Sequence, residues 1–177
     1  MIILTSILYL LISFIPVLAY ILIIWSTTPW GSINLKTALR YFVTGIMSIG
    51  ILLIWFDLFP NWQQPLLFLG TTGIYVMAFI QVALVEELSK YTSFRIGEKI
   101  RGKCKTKNDL PIGTMFYCGI SALGFSFIEN VEYATKYGGD VIISRSITAM
   151  MIHFLCGLIM GYWLSTSRIP SKLENRS

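Results

Sequence analysis

Five stretches of roughly 20 mostly apolar residues, each bounded by charge, Pro or Gly, make up most of this 177-residue chain. About 20 is the number an α-helix needs to cross a bilayer. The stretches fall at residues 2–25, 38–59, 70–94, 112–133 and 141–165. A helix satisfies its backbone hydrogen bonds within itself, so five such runs predict an all-α, polytopic membrane helix bundle. A single integral-membrane domain over residues 1–177 is expected, without a sizeable soluble domain, repeat or low-complexity tract. In the first stretch a kink is expected at Pro16; no base precedes the stretch and no small-residue cleavage pattern follows it, so it reads as a retained anchor. Pro60 and Pro65 bracket a short turn, and the cluster Gly70-Thr71-Thr72-Gly73 sets a start or break for the third stretch.

Composition agrees, with 55% hydrophobic residues and 13% charged, against about 25% charged in an average soluble domain. That balance excludes a disordered chain or a nucleic-acid-binding arm, both poor in bulky apolar side chains. Three cysteines, Cys104, Cys118 and Cys156, with no C-x-x-C spacing, imply neither a disulfide framework nor a zinc knuckle.

The net charge of +5 reports orientation. With the N-terminus outside and the C-terminus cytoplasmic, eleven Lys and Arg fall on the cytoplasmic side and only Lys136 and Arg145 outside, while Lys90 lies within a span. Positive residues accumulate inside, so this is the predicted topology. The basic run at residues 95–107 serves as its main signal, with anionic lipid as a second use.

Ionisable groups inside the spans are the next constraint. A charge at mid-bilayer is costly enough that carboxylates and histidines there normally face a bundle interior and mark function. Glu86, Glu87 and Lys90 lie on the third span, Glu129, Asn130 and Glu132 on the fourth, and the single histidine, His153, on the fifth. At 1.5 Å per residue, His153 lies roughly 18 Å below the outer end of its span, Glu129 roughly 6–12 Å, and Glu86 about 20 Å if its helix starts near Gly73. These three are therefore expected in one outer-to-middle layer. Glu86 and Lys90 share a helix face, whereas Glu86 and Glu87 diverge by about 100°. His153, Gly157 and Gly161 also share a face, where small residues admit either another helix backbone or an extended substrate. Glu132 and Asp57, near span ends, read as solvated.

The same residues carry a resemblance. Glu86-Glu87-Leu88-Ser89-Lys90 fits E-E-x-x-K, and Phe125-Ser126-Phe127-Ile128-Glu129-Asn130 fits F-x-x-x-E-N. Arg145, with His153, Gly157 and Gly161, fits a third helix motif. Together they resemble the PrsW family of intramembrane proteases, related to the CAAX-processing and bacteriocin-immunity (CPBP) membrane peptidases. The likeness covers residues 82–161, including Leu123-Gly124-Phe125 and Asp109-Leu110-Pro111. Two positions depart: Gly113-Thr114 stands where members often carry an acidic-Gly pair, and Gly157 where the related peptidases often carry Asn.

The resemblance implies a glutamic-type intramembrane protease of a bacterial cytoplasmic membrane. Its activity would be a site-1 type cut in regulated proteolysis of a single-pass or tethered membrane protein such as an anti-sigma factor. It further implies that Glu86 takes a proton from water, Glu129 helps hold that water and His153 stabilises the oxyanion. Glu87, Lys90, Asn130 and Arg145 would support them, and Gly157 and Gly161 would let the substrate approach. No cofactor is expected; the alternative is zinc on Glu86, Glu129 and His153, disfavoured because the chain has one His and no H-E-x-x-H helix. No serine-protease constellation is present, and Cys118 and Cys156 read as packing residues. A proton- or ion-coupled carrier is the rival from another class, but carriers usually show paired repeats, which five dissimilar spans do not provide. A non-catalytic member of the same scaffold is the third reading.

Overall fold

The computed structural model describes residues 2–27, 33–60, 68–101 and 111–167. Pro65, Cys104, most of the basic run, Asp109-Leu110, and the C-terminal bases Arg168, Lys172 and Arg176 lie outside the described residues. Helix α1 spans Ile2–Thr27 and α2 Leu35–Leu58. The third span is composite: α3 (Gly70–Val76), a π-helical segment (Met77–Ala83) and α4 (Leu84–Arg101). Helix α5 covers Pro111–Tyr137, and α6 (Val141–Ile147) and α7 (Ala149–Thr166) share the last span. Five helical stretches are thus long and apolar enough to cross a membrane, and no strand occurs among the described residues.

Local chemistry places the ends. Asn34 caps α2, its side chain accepting from the Thr37 N–H at 3.2 Å, as short polar side chains do at helix starts. Gly138, at φ +97°, ends α5 in the left-handed conformation that favours glycine. Helix α1 runs continuously from Ile2 to Thr27 with Pro16 inside it.

Helix α5 is the core of the bundle: 72% of its apolar window is buried, against 17–28% for the other four spans. It packs on α7, α2, α1 and α6. Two glycine seams make this closeness feasible. A Cβ at Gly45 would overlap the Ser121 carbonyl and one at Gly124 the Phe42 carbonyl, so α2 and α5 meet backbone to backbone. A Cβ at Gly157 would come 2.8 Å from the Cys118 carbonyl, and one at Gly161 2.5 Å from Met115 Cα. In lipid, where apolar burial gives little drive, such close packing is what holds helices together. Aromatic rings fill the remaining space: Tyr41 stacks on Phe94 at 4.7 Å and on Tyr117 at 5.2 Å. Helix α4 joins α2 through a hydrogen bond from Ser93 Oγ to the Thr44 carbonyl and through Gly97, which faces Thr44.

Candidate active site

Four helices deliver polar side chains to one place. Helix α4 supplies Glu87 and Lys90 on successive turns, and the Lys90 ammonium donates to Glu87 Oε1 at 2.7 Å. Lys90 is only 1% exposed. Its Nζ lies 4.1 Å from the centroid of the Phe125 ring and 2.8 Å from Nδ1 of His153 on α7. His153 Nε2 in turn lies 2.9 Å from Glu129 Oε2 on α5. Arg145 on α6 closes the series, with Nη2 2.8 Å from the same Glu129 oxygen and Nε donating to Asn130 Oδ1 at 2.9 Å. The Arg145–Glu129 pair is a charge contact rather than an aligned hydrogen bond, since Nη2 has no acceptor in line with its N–H. The Arg145 guanidinium also lies over the Tyr133 ring at 3.7 Å, a favourable cation–π geometry.

These partners assign the imidazole. An ammonium only donates, so His153 Nδ1 accepts from Lys90 and the ring proton sits on Nε2, directed at Glu129. Glu129 is held through Oε2 by both His153 and Arg145, and its Oε1 has no partner among the described residues. Glu86 differs from all of these. It is partly exposed, and its carboxylate makes no hydrogen bond or ion pair among the described residues, although Glu129, Lys90, His153 and Glu87 all act on it electrostatically.

The structure therefore brings Glu86, Glu87, Lys90, Glu129, Asn130, Arg145 and His153 into one cluster from spans that are far apart in sequence. Gly157 and Gly161 lie beyond it against α5, so the close approach seen there is that of a helix backbone. Glu132 pairs with Lys136 at the surface and Asp57 is exposed, as a solvated reading requires. Two site neighbours have no charge to advertise them: Phe125, against both Lys90 and His153, and Tyr133, under Arg145. Their signal was spacing, because both lie four residues from Glu129, on the face it shares.

The family model described as PrsW family intramembrane metalloprotease matches residues 34–177. The chain belongs to the PrsW family. Three curated proteins named Protease PrsW are similar to it. That of Oceanobacillus iheyensis is 28% identical over 105 residues, covering 59% of this chain and 47% of the relative. That of Shouchella clausii is 24% identical over 159 residues, covering 86% and 66%. That of Geobacillus kaustophilus is 26% identical over 137 residues, covering 74% and 56%. The chain thus spans about half to two thirds of the length of these PrsW relatives. No solved structure matches it.

The family's description implies a metal, and the donor set can be tested for one. Zinc-bound imidazoles normally donate their other N–H to an acceptor, but His153 faces the Lys90 ammonium there. Glu129, the second candidate ligand, is already matched by Arg145 and His153. Among the described residues no three His, Cys, Asp or Glu side chains are grouped to hold an ion. In this arrangement two of the three candidate ligands, Glu129 and His153, are already engaged by protein partners.

Proposed function

We propose that this PrsW-family chain is an intramembrane endopeptidase that hydrolyses a peptide bond in a membrane-spanning or membrane-tethered protein through a glutamate-activated water. One observation supports the reading: among the described residues the Glu86 carboxylate makes no hydrogen bond or ion pair, and it lies beside a network in which Glu87, Lys90, Glu129, Arg145 and His153 are matched to one another. A general base has to be free to take a proton, whereas the groups that orient it should be fixed.

In this mechanism Glu86 removes a proton from a water held between it and Glu129 Oε1. The water oxygen attacks the scissile carbonyl carbon, and the developing oxyanion accepts a hydrogen bond from the Nε2–H of His153 in place of Glu129 Oε2, while Lys90 keeps the proton on that nitrogen. Glu86 then passes its proton to the amide nitrogen as the C–N bond breaks. Arg145 holds Glu129 in place, Asn130 holds Arg145, and Glu87 holds Lys90. The charge count, which predicts an outside N-terminus, supports an outer-to-middle depth in the bilayer for this chemistry. A membrane-bound anti-sigma factor is the substrate class suggested by the family resemblance, in a bacterial cytoplasmic membrane.

The test is cleavage of candidate single-pass proteins by the purified, reconstituted chain. Product from the parent protein and none from Glu86→Gln is expected. Equal cutting by the two would remove the base from the mechanism.

A further inference from the structure

A second feature of the bundle lies outside the polar cluster. Helices α2 and α4 are clamped together where Ser93 and Gly97 meet Thr44, and on the Leu58 side a gap separates α2 from the third span. The gap is a cleft of about 590 Å³, lined by Ile51, Ile54 and Leu58 on one side and Ile80, Leu84 and Leu88 on the other. The lining is mostly apolar, with Trp55 adding an indole ring. Ser89 and Thr92 border the cleft, but their hydroxyls donate to the Glu86 and Leu88 carbonyls of their own helix. Both walls belong to helices long and apolar enough to cross a membrane, so the cleft opens into hydrocarbon.

Three observations indicate what fills it. First, the wall formed by Gly70–Ala83 makes almost no packing contact with helices outside its own span among the described residues, and the cleft-lining Ile80, Leu84 and Leu88 stand about half exposed. Secondly, that wall contains the π-helical segment. Such segments are rare and occur mostly at functional sites, where they bend a helix. Thirdly, the cleft borders the turn of α4 that carries the base: Ser89 on its edge is three residues from Glu86, hence about 60° around α4 from it. The other seams around the cluster are closed by glycine contacts, α2 against α5 at Gly45 and Gly124 and α7 against α5 at Gly157 and Gly161.

We infer that this cleft is the docking site for the membrane-spanning helix of the substrate. That helix enters sideways from the bilayer and packs between α2 and the π-helical wall as the bundle's missing neighbour. The inference rests on the peptidase reading for the identity of its occupant. Apolar walls match a membrane helix, and the position beside Glu86 explains why a helix rather than a lipid chain belongs there. A segment docked against Ser89 reaches the base on unwinding, without dismantling the packed α5 core.

Docking can be read without cleavage. Full-length Glu86→Gln protein with a benzophenone side chain at Leu84 is reconstituted in phosphatidylglycerol and phosphatidylethanolamine vesicles. The probe is a synthetic Lys-flanked peptide with about 20 apolar residues. Controls carry the same group at Leu22 or Ile159, which are outward-facing on other helices. Irradiation should give about tenfold more peptide adduct at Leu84 than at the controls; Ile54→Trp, which fills the cleft, should abolish that excess, and Ile54→Ala, which leaves it open, should preserve it. Equal adducts at all three positions, adducts to lipid alone, or adducts to a second copy of this chain would each overturn the docking site. Cleavage by an Ile54→Trp protein at the parent rate would also sink the cleft while leaving the peptidase. Conversely, docking at Leu84 without any single-pass protein ever being cut would sink the peptidase and leave the cleft as a helix-binding site.

Discussion

At the scale of residues, the proposed mechanism gives the base's role to Glu86, which makes no hydrogen bond or ion pair among the described residues, and positioning to the matched charges beside it, and each part makes a separable prediction. Glu86→Gln, Glu129→Gln and His153→Ala should each lower cleavage by about a hundred- to ten-thousandfold while leaving an inserted, folded protein. Double variants should lose little more than singles, because groups acting on one water behave as a unit; additive losses would separate their roles. Lys90→Met tests positioning. It removes the donor to His153 Nδ1 and should release the ring from its Nε2–H tautomer, visible by nitrogen NMR of the single imidazole, with activity falling about ten- to a hundredfold. An unchanged imidazole spectrum would refute that role. Activity should survive exhaustive chelation of the detergent-purified protein, since the Lys90 and Arg145 cations already occupy the partners a metal would need. Loss on chelation with restoration by zinc would recast Glu129 and His153 as ligands. The identity of the cluster was legible in the sequence because a charge within a span has few affordable reasons to be there. Its bonding was not: nothing in E-E-x-x-K says that Lys90 reaches across to α7 as well as back to Glu87.

At the scale of elements, glycines decide which helices touch. Gly124→Ala should lower stability by about 1–3 kcal/mol, because its Cβ meets the Phe42 carbonyl, which cannot give way as a flexible side chain would. Gly50→Ala, on the same helix as Gly45 but facing open space, should be neutral or stabilising by up to about 1 kcal/mol from helix propensity alone. Thermal unfolding in detergent separates the two, and equal midpoints would contradict the backbone-to-backbone α2–α5 seam. The spacing of Gly157 and Gly161 showed that something approaches α7 closely. Whether that was a helix or a substrate depended on which side of α7 faces α5, and rotation of a helix about its axis leaves no trace in its own sequence. The π-helical segment was equally hidden. Residues Met77–Ala83 are ordinary helix formers, and a π turn arises from how a helix is held at its ends rather than from local propensity. The third span starts at Gly70, at the cluster expected to begin or break it, because glycine tolerates the φ of +59° found there.

At the scale of the molecule, the charge imbalance predicts which side of the membrane each end faces. A cysteine replacing Gly139, in a background free of native cysteines, should react with an impermeant thiol reagent in intact cells, and one replacing Lys105 should not. The reverse pattern would invert the topology and move the cluster towards the cytoplasm. Hydropathy by itself determined the helical class and the number of spans, because transfer of about 20 consecutive residues into hydrocarbon is a sum over a local window. It also determined the inventory of catalytic candidates, since the penalty for an intramembrane charge falls on each residue singly. Only the tertiary structure decided that α5 is the buried core, that within the cluster Glu86 makes no hydrogen bond or ion pair among the described residues, and that a cleft opens between α2 and the third span. Those features depend on the rotation, crossing and separation of helices whose contacts join residues tens of positions apart, as Lys90 and His153 are. Such distances are set by side chains and glycines on both partners at once, and no window along one helix contains them.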